Sequence, residues 1–225
     1  MLDNYLKINQ CTLHYQIYGE LNKGIPLVLL HGNKESIAIF QKQIAYYSST
    51  NIVIAIDSPG HGLSSYLNPL TINNMALHIG LLLKALPYSK YNLLGFSDGG
   101  NIALIIAQDL EIINSLIIIG ANLYPKGIKT FYYLSLLFTS LFMKNDYLNL
   151  MLKEPHISIE ELKRITCPTL IIYGQHDMIK TKHLQLIHQN IQNSILKIIP
   201  QGNHFSFFKK TDILNDFLKT LEKTI

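Results

Sequence analysis

Short apolar runs alternate along the chain with longer segments in which apolar residues recur at helical spacing. The runs predict buried strands at 27–30, 52–56, 91–94, 115–119, 169–173 and 195–199. The periodic segments predict helices at 35–47, 71–86 and 101–107, from about 180, and from about 205. Residues 4–18 predict an opening hairpin. Because continuous apolar strands separated by helices are typical of sheets covered on both faces, we expect an α/β fold whose central sheet is mostly parallel and flanked by helices.

Length and composition limit the class of protein. The chain has 225 residues, of which 48% are hydrophobic and 15% charged. A chain of this length buries most of its apolar surface around one core, and this composition is not that of a disordered protein. The prediction is therefore a single domain over 1–225, without internal repeats, low-complexity tracts or flexible linkers.

Charge, cysteine content and the first residues bear on nucleic-acid binding, disulfide formation and cellular location. The formal net charge is +4, from 19 basic and 15 acidic residues scattered along the chain, which does not favour nucleic-acid binding. Cys11 and Cys167 lie far apart and are expected to be free thiols. The first residues lack the basic start and apolar core of a signal peptide, so we expect a cytoplasmic location. The expected oligomeric state is a monomer or homodimer.

The longest apolar segment, 131–143, is interrupted by Ser135, Thr139 and Ser140. A membrane span needs ~20 apolar residues, so this segment is expected to be an amphipathic or buried helix and no integral span is predicted. Peripheral contact with lipid stays open.

The most informative motif lies between the predicted strand at 91–94 and the helix at 101–107. Residues 95–99 have the pattern G-x-S-x-G with Ser97 at its centre, followed by Gly100. This pattern is typical of a nucleophile elbow, in which a strand turns sharply into a helix and exposes a strained serine hydroxyl. Ser97 is thus a candidate nucleophile, with a helix N-terminus facing the oxyanion that its attack would create. The alternative is an ordinary turn serine.

A nucleophilic serine needs a histidine base and a carboxylate that orients the histidine. Asp177 follows the strand at 169–173, and His204 follows the strand at 195–199. Both would lie at the carboxyl edge of the sheet with Ser97, where α/β sheets bind their ligands. The alternatives are that Asp177 caps the next helix and that His204 is a structural histidine. His176 adjoins the acid and is expected on the surface.

The motifs together resemble those of the α/β-hydrolase superfamily, and the order Ser, Asp, His is the order of that superfamily. The chain looks most like the small bacterial esterase-type hydrolases whose elbow also reads serine-aspartate-glycine-glycine. The resemblance covers nearly the whole chain, and the segments that carry it are 31–33, 57–64, 95–100, 174–177 and 202–205.

The resemblance implies several roles. The backbone N–H groups of Asn33 and Asp98 would form the oxyanion hole, and His61 would have a structural role in its loop. The family inserts a cap where this chain has residues 122–162, so a short helical cap of two or three helices is expected there. Its aromatic and methionine-rich faces would either pack against the core or line an apolar pocket.

These expectations lead to one function. We expect a serine hydrolase that cleaves small-to-medium apolar carboxylic esters through an acyl-enzyme, with Ser97, Asp177 and His204 as its triad. The alternatives are a ligand-binding or signalling protein with slow turnover, or an acyltransferase or thioesterase that uses the same triad. The sequence has no zinc-binding pattern, phosphate loop or dinucleotide fingerprint, so neither metal nor cofactor is expected. The Asp98 side chain would hydrogen-bond within its turn or, alternatively, select an amine-bearing substrate.

Overall fold

The structure is a computed structural model that describes residues 3–108 and 112–222. The predicted domain over 1–225 includes residues 1–2, 109–111 and 223–225, which lie outside the described residues. The strands are β1 Asp3–Ile8, β2 Cys11–Tyr18, β3 Leu27–Leu30, β4 Val53–Ile56, β5 Tyr91–Phe96, β6 Ile113–Ile119, β7 Thr169–Gly174 and β8 Ser194–Ile199. The helices are α1 Gln41–Tyr47, α2 Ile72–Ala85, α3 Asp98–Ile106, α4 Thr130–Ser140, α5 Asp146–Lys153, α6 Ile159–Lys163, α7 Thr181–Asn190 and α8 Asn215–Glu222.

The strands form a single sheet in the order β1-β2-β4-β3-β5-β6-β7-β8. The opening hairpin pairs antiparallel, and β2 also pairs antiparallel with β4. From β4 through β8 all neighbours are parallel. The predicted hairpin and mostly parallel sheet are confirmed. Parallel pairing brings the carboxyl ends of β3 to β8 to one edge of the sheet.

Both faces of the central strands β3 to β7 are largely buried, as the continuous apolar runs predicted. The prediction of a buried strand at 195–199 is wrong for most of β8, where Ile195 and Ile198 are 59% and 49% exposed, because β8 lies at the edge of the sheet. In β3, Val28 and Leu30 face one hydrophobic cluster, together with α2, α3 and α7. Leu27 and Leu29 face the opposite cluster, which includes α1 and α8. Successive side chains of a strand point to opposite faces, so a strand buried on both sides must be apolar at every position.

Local capping explains where several helices begin. The Thr71 side chain accepts a hydrogen bond from the Asn74 amide at 3.2 Å, which starts α2. Ser158 and Glu161 form a reciprocal capping box at the start of α6.

The helix predicted at 35–47 begins later and differently. A 3-10 turn, Ile37–Phe40, precedes α1. The Asp57 carboxylate, from the loop after β4, accepts a hydrogen bond from the Ile37 amide at 2.8 Å. This long-range contact ties the start of the segment to the sheet, and no local pattern encodes it.

The terminal helix is present, but the prediction that it begins at about residue 205 is wrong. A 3-10 turn, Ser206–Lys209, follows His204, and α8 begins only at Asn215. The Asn203 side chain accepts a hydrogen bond from the Phe205 amide, and Phe207 is buried. Phe207 therefore packs into the core before a helix starts.

Three helices, α4 to α6, and a short 3-10 turn occupy the connection between β6 and β7. The expectation that their apolar residues either pack against the core or line a pocket holds for α5, in which Leu148 and Leu150 are buried. It is wrong for most of α4, where no residue is buried. Phe131 and Phe138, for example, are largely exposed.

Candidate active site

The chain turns sharply at Ser97 between β5 and α3. The backbone of Ser97 has φ 54° and ψ −118°, in the left-handed half of conformational space that non-glycine residues rarely occupy. Ser97 occupies the N-cap position of α3, yet its side chain makes no capping hydrogen bond. The hydroxyl is therefore held at the carboxyl edge of the sheet without being used to cap the helix.

Glycines permit this turn through close backbone approach. A β-carbon on Gly95 would lie 2.1 Å from the Gly99 carbonyl oxygen, and one on Gly99 would lie 2.2 Å from the Leu30 carbonyl oxygen. A β-carbon on Gly32 would lie 3.1 Å from Cβ of Ser97. The elbow and the loop after β3 are thus packed directly on each other.

Asp177 and His204 form a hydrogen-bonded pair at the same edge. Nδ1 of His204 lies 2.8 Å from Oδ1 of Asp177, and the two residues are 6% and 1% exposed. Oδ1 also accepts a hydrogen bond from the Ile179 amide at 2.9 Å. An ionised carboxylate only accepts hydrogen bonds, so a neutral imidazole in this contact has its proton on Nδ1 and its lone pair on Nε2. Asp177 does not cap α7, which begins only at Thr181.

The His204 ring is enclosed by two residues that end neighbouring strands. The ring centroid lies 4.8 Å from that of Phe96, the residue before Ser97. On another side the ring contacts Gly120, directly after β6. These contacts fix the histidine beside the elbow.

Asn33 and Asp98 are joined through their side chains. Nδ2 of Asn33 donates to Oδ2 of Asp98 at 3.0 Å, and Nδ2 of Asn101 donates to Oδ1 at 3.2 Å. Burial raises the pKa of Asp98, and the Asn33 hydrogen bond partly opposes this shift. The expected hydrogen bond within the turn is present, through Asn101, but the contact with Asn33 from a different loop was not expected.

Tyr147 of α5 covers the loops after β3 and β4. Its carbonyl oxygen accepts from Nδ2 of Asn33 at 3.1 Å, and its hydroxyl donates to the Gly60 carbonyl oxygen at 2.5 Å. Below it lies a cavity of about 250 Å³ that is lined by Lys34, Glu35, Gly60, His61, Gly62 and Tyr147. The space beside the candidate site is therefore small and has a partly charged lining.

Glu35 lies in this cavity and supports the loop after β3. Its Oε2 accepts a hydrogen bond from the Gly32 amide at 3.2 Å. Burial raises its pKa, whereas the Gly32 hydrogen bond and the nearby His204 act in the opposite direction.

Buried histidines hold the loops in place. The Ser58 amide donates to Nε2 of His31 at 3.0 Å, so Nδ1 carries the proton and donates to the Gly32 carbonyl oxygen at 2.8 Å. Burial lowers the pKa of His31 to about 4. His61 is also buried, and its ring lies 5.3 Å from that of His31 and 5.0 Å from that of Tyr147. This packing is consistent with the structural role that was expected for His61.

Comparison with known proteins decides the family. Residues 25–150, more than half of the chain, match the family described as the alpha/beta hydrolase fold. The chain belongs to this family. The α/β-hydrolase resemblance and the predicted fold class are thereby confirmed.

Proteins named as serine hydrolases are among the relatives of this chain. Serine hydrolase BPHL of Homo sapiens is 29% identical over 168 aligned positions, which cover 61% of this chain and 58% of the human protein. The chain thus spans a little over half of the human relative. The Mus musculus protein of the same name is 28% identical over 251 residues, covering 94% of this chain and 84% of the mouse protein.

Solved structures with the same fold cover almost the whole chain. The enol-lactonase from Burkholderia xenovorans LB400 superposes with a TM-score of 0.79 at 18% identity, covering 98% of this chain and 100% of that one. A thermophilic esterase from Thermogutta terrifontis gives a TM-score of 0.78 at 17% identity, covering 98% and 99%. At these identities the likeness shows the fold.

Three residues around the candidate site were missed by the sequence analysis. Gly120 had a usable signal, since a glycine directly after a buried strand lies at the edge where ligands bind. Glu35 and Tyr147 had none, because their contacts depend on loops that meet only in the folded chain. His176 is exposed, as predicted.

Two absences hold for the part of the chain that the structure describes. Within residues 3–108 and 112–222, no three His, Cys, Asp or Glu side chains are grouped so as to hold a metal ion. Among the helices in those two ranges, none has both the length and the apolar character that crossing a bilayer requires.

Proposed function

We propose that this hydrolase cleaves small-to-medium apolar carboxylic esters through an acyl-enzyme. Ser97 would be the nucleophile, His204 the general base and then acid, and Asp177 the carboxylate that orients His204. The observation that carries the proposal is the buried Asp177–His204 hydrogen bond at the same sheet edge as a strained, uncapped Ser97. A histidine whose Nδ1 proton is held by a carboxylate presents a basic Nε2, which is what serine activation requires.

In the first step the Ser97 oxygen attacks the ester carbonyl carbon while Nε2 of His204 takes the hydroxyl proton. The carbonyl oxygen becomes an oxyanion. When the tetrahedral intermediate collapses, the C–O bond to the alcohol breaks, and His204 returns its proton to the leaving oxygen. The products are an acyl-Ser97 ester and a free alcohol.

The oxyanion would be stabilised by the backbone N–H groups of Asn33 and Asp98. Asp98 is the first residue of α3, whose N-terminal amides carry partial positive charge. The loop that contains Asn33 touches the elbow, as the Gly32 approach to Ser97 shows. One such donor contributes about 3 kcal/mol to transition-state stabilisation in other serine hydrolases.

In the second step, water replaces the alcohol. His204 takes a proton from the water, the hydroxide attacks the acyl carbon, and the proton returns to the Ser97 oxygen as the acid leaves. Asp177 stays ionised throughout and stabilises the positively charged imidazole.

The cavity under Tyr147 adjoins the loop that contains Asn33. Its volume of about 250 Å³ is below the ~300–1,000 Å³ of ordinary ligand sites, and none of Ser97, Asp177 and His204 is among its lining residues. Because the space next to this loop is small, we expect short acyl chains to be hydrolysed faster than long ones.

The test uses p-nitrophenyl esters of increasing acyl length with the wild-type chain and Ser97→Ala. A fluorophosphonate probe followed by intact-mass measurement reports whether the serine is activated. The expected result is turnover and a single adduct, both lost in Ser97→Ala and both retained in Ser49→Ala, a change at an exposed serine.

Other results would point elsewhere. An adduct without turnover on any ester would indicate a ligand-binding or signalling protein. Acyl product diverted to an added alcohol or amine would indicate an acyltransferase, and preference for thioesters would indicate a thioesterase. The absence of both an adduct and turnover would overturn the assignment of Ser97.

A further inference from the structure

The helix α4 and the turn after it present large apolar side chains to solvent. Phe131, Phe138, Leu141 and Phe142 are 78%, 65%, 73% and 74% exposed. Leu134 lies between them and is 57% exposed. We refer to these five residues as the apolar patch. Contiguous exposed apolar surface of this kind marks interaction sites in folded proteins.

The side of α4 opposite the patch packs against the hydrophobic core. Tyr133 and Leu136 are partly buried and pack against the hydrophobic core. The helix is thus anchored by one side, and the patch is left on the other. Within the patch, the rings of Phe138 and Phe142 lie 5.2 Å apart and form a continuous aromatic surface.

The charged residues that flank the patch along the sequence are all positive. Lys126 and Lys129 precede α4 and Lys144 follows the patch, whereas residues 113–145 contain no Asp or Glu. Nζ of Lys180 donates to the Lys126 carbonyl oxygen at 2.8 Å, which adds a fourth cation at the start of the helix. The first acid after the patch, Asp146, accepts a hydrogen bond from the Tyr66 hydroxyl.

We propose that the apolar patch and these lysines dock the protein on the surface of an anionic lipid bilayer. Aromatic and aliphatic side chains enter the boundary between headgroups and acyl chains, while lysines at both ends of the patch contact anionic headgroups. Charge decides against a second copy of the chain as the occupant, because a self-complementary contact would bring two sets of lysines together. The docking is peripheral.

Docking at this patch would place the candidate active site close to the bilayer. The helix α5 packs against α4 and contacts the site through Tyr147, whose carbonyl oxygen binds Asn33. An apolar molecule that leaves the bilayer at α4 would therefore meet α5, the helix that contacts the loops of the site.

The experiment measures sedimentation of the full chain with vesicles of phosphatidylcholine and phosphatidylglycerol, and with vesicles of phosphatidylcholine alone. No substrate is present, so the result does not depend on the proposed hydrolysis. Wild-type protein should bind the anionic vesicles, with affinity lower by about tenfold or more on neutral vesicles and reduced by high salt.

Two sets of variants separate the apolar and charged contributions. Phe131→Ser, Phe138→Ser and Phe142→Ser combined should weaken binding by about tenfold or more. The matched control replaces three exposed apolar residues elsewhere, Leu21→Ser, Leu77→Ser and Ile195→Ser, and should bind as the wild type does. Lys126→Gln, Lys129→Gln and Lys144→Gln combined should remove the preference for anionic vesicles. Circular dichroism establishes that each variant is folded.

Three results would overturn the proposal. The first is no binding of wild-type protein to either vesicle. The second is binding that the phenylalanine variant leaves unchanged. The third is a concentration-dependent dimer that the phenylalanine variant abolishes, in a protein that does not bind vesicles, since the patch would then be covered by a second copy.

Discussion

Gly120 lies against the imidazole of His204. A β-carbon at position 120 would lie 2.6 Å from Cε1 and 2.8 Å from Nδ1 of the ring, and the backbone there has φ +62°. The absence of a side chain at this position therefore gives His204 the space to reach Asp177.

Gly120→Ala should lower kcat by about 100-fold, because a displacement of His204 by about 1 Å misaligns the base. The measurement is kcat on the best p-nitrophenyl ester, with unfolding by urea measured in parallel. Gly24→Ala is the matched control, since Gly24 also has positive φ, at +106°, but a β-carbon there would meet nothing within 4 Å. Equal kcat in both variants would show that Gly120 matters only for backbone conformation.

Asp177→Asn should reduce kcat by about 10⁴-fold with little change in the fold. The neutral amide cannot stabilise a charged imidazole, and it permits the tautomer in which Nε2 is protonated and cannot act as a base. Steady-state kinetics measures the effect, and Asp212→Asn, at an exposed aspartate, serves as the control. A loss below about tenfold would remove Asp177 from the proposed triad.

Gly95→Ala should destabilise the protein by about 2–3 kcal/mol, because its β-carbon would lie 2.1 Å from the Gly99 carbonyl oxygen in the backbone of the elbow. Gly80→Ala in α2 should instead stabilise it by about 0.5–1 kcal/mol, since nothing lies within 4 Å of the added carbon. Urea unfolding measures both values. The same sign of change in both variants would contradict the packing described for the elbow.

The free energy of unfolding should fall as the pH decreases from about 6.5 towards 4, in part because of His31. Burial depresses its pKa to about 4 from a model-compound value of 6.5, so in this window the unfolded chain binds a proton that the folded chain excludes. The stability is fully present above 6.5, and the loss from His31 amounts to about 3 kcal/mol at the acid end.

Urea unfolding at several pH values tests this expectation, with His31→Asn and the exposed His176→Asn compared with the wild type. The first variant should be less stable at neutral pH but lose less stability on acidification. The second should follow the wild-type curve, and identical pH profiles for all three proteins would contradict the assignment to His31.

The strands and the elbow could be predicted because their signals are local. An apolar residue at every position of 27–30 requires burial on both faces, and Gly95, Ser97 and Gly99 specify one kind of turn. The order of Asp177 and His204 after successive strands was enough to expect them at one edge, where the structure places them in hydrogen-bond contact.

The remaining features depend on contacts between distant segments. The Asp57 side chain accepts a hydrogen bond from the Ile37 amide in the 3-10 turn before α1, and Phe207 is buried in the 3-10 turn before α8. The outward side chains of α4 follow a helical pattern that indicates burial, but only the packing of Tyr133 and Leu136 shows which side faces the core. A local sequence pattern predicts that a helix has an apolar face, but it does not predict whether that face contacts the core or the solvent.

The hydrogen bond between Asn33 and Asp98 connects two loops that arise from different strands, β3 and β5. Since Asn101 supports the same carboxylate, a change at either end alters the environment of the other. Substitutions at 33 and 98 are therefore expected to be non-additive, and a residue tolerated at one position will depend on what occupies the other. Variation at one of these two positions is therefore expected to be accompanied by variation at the other.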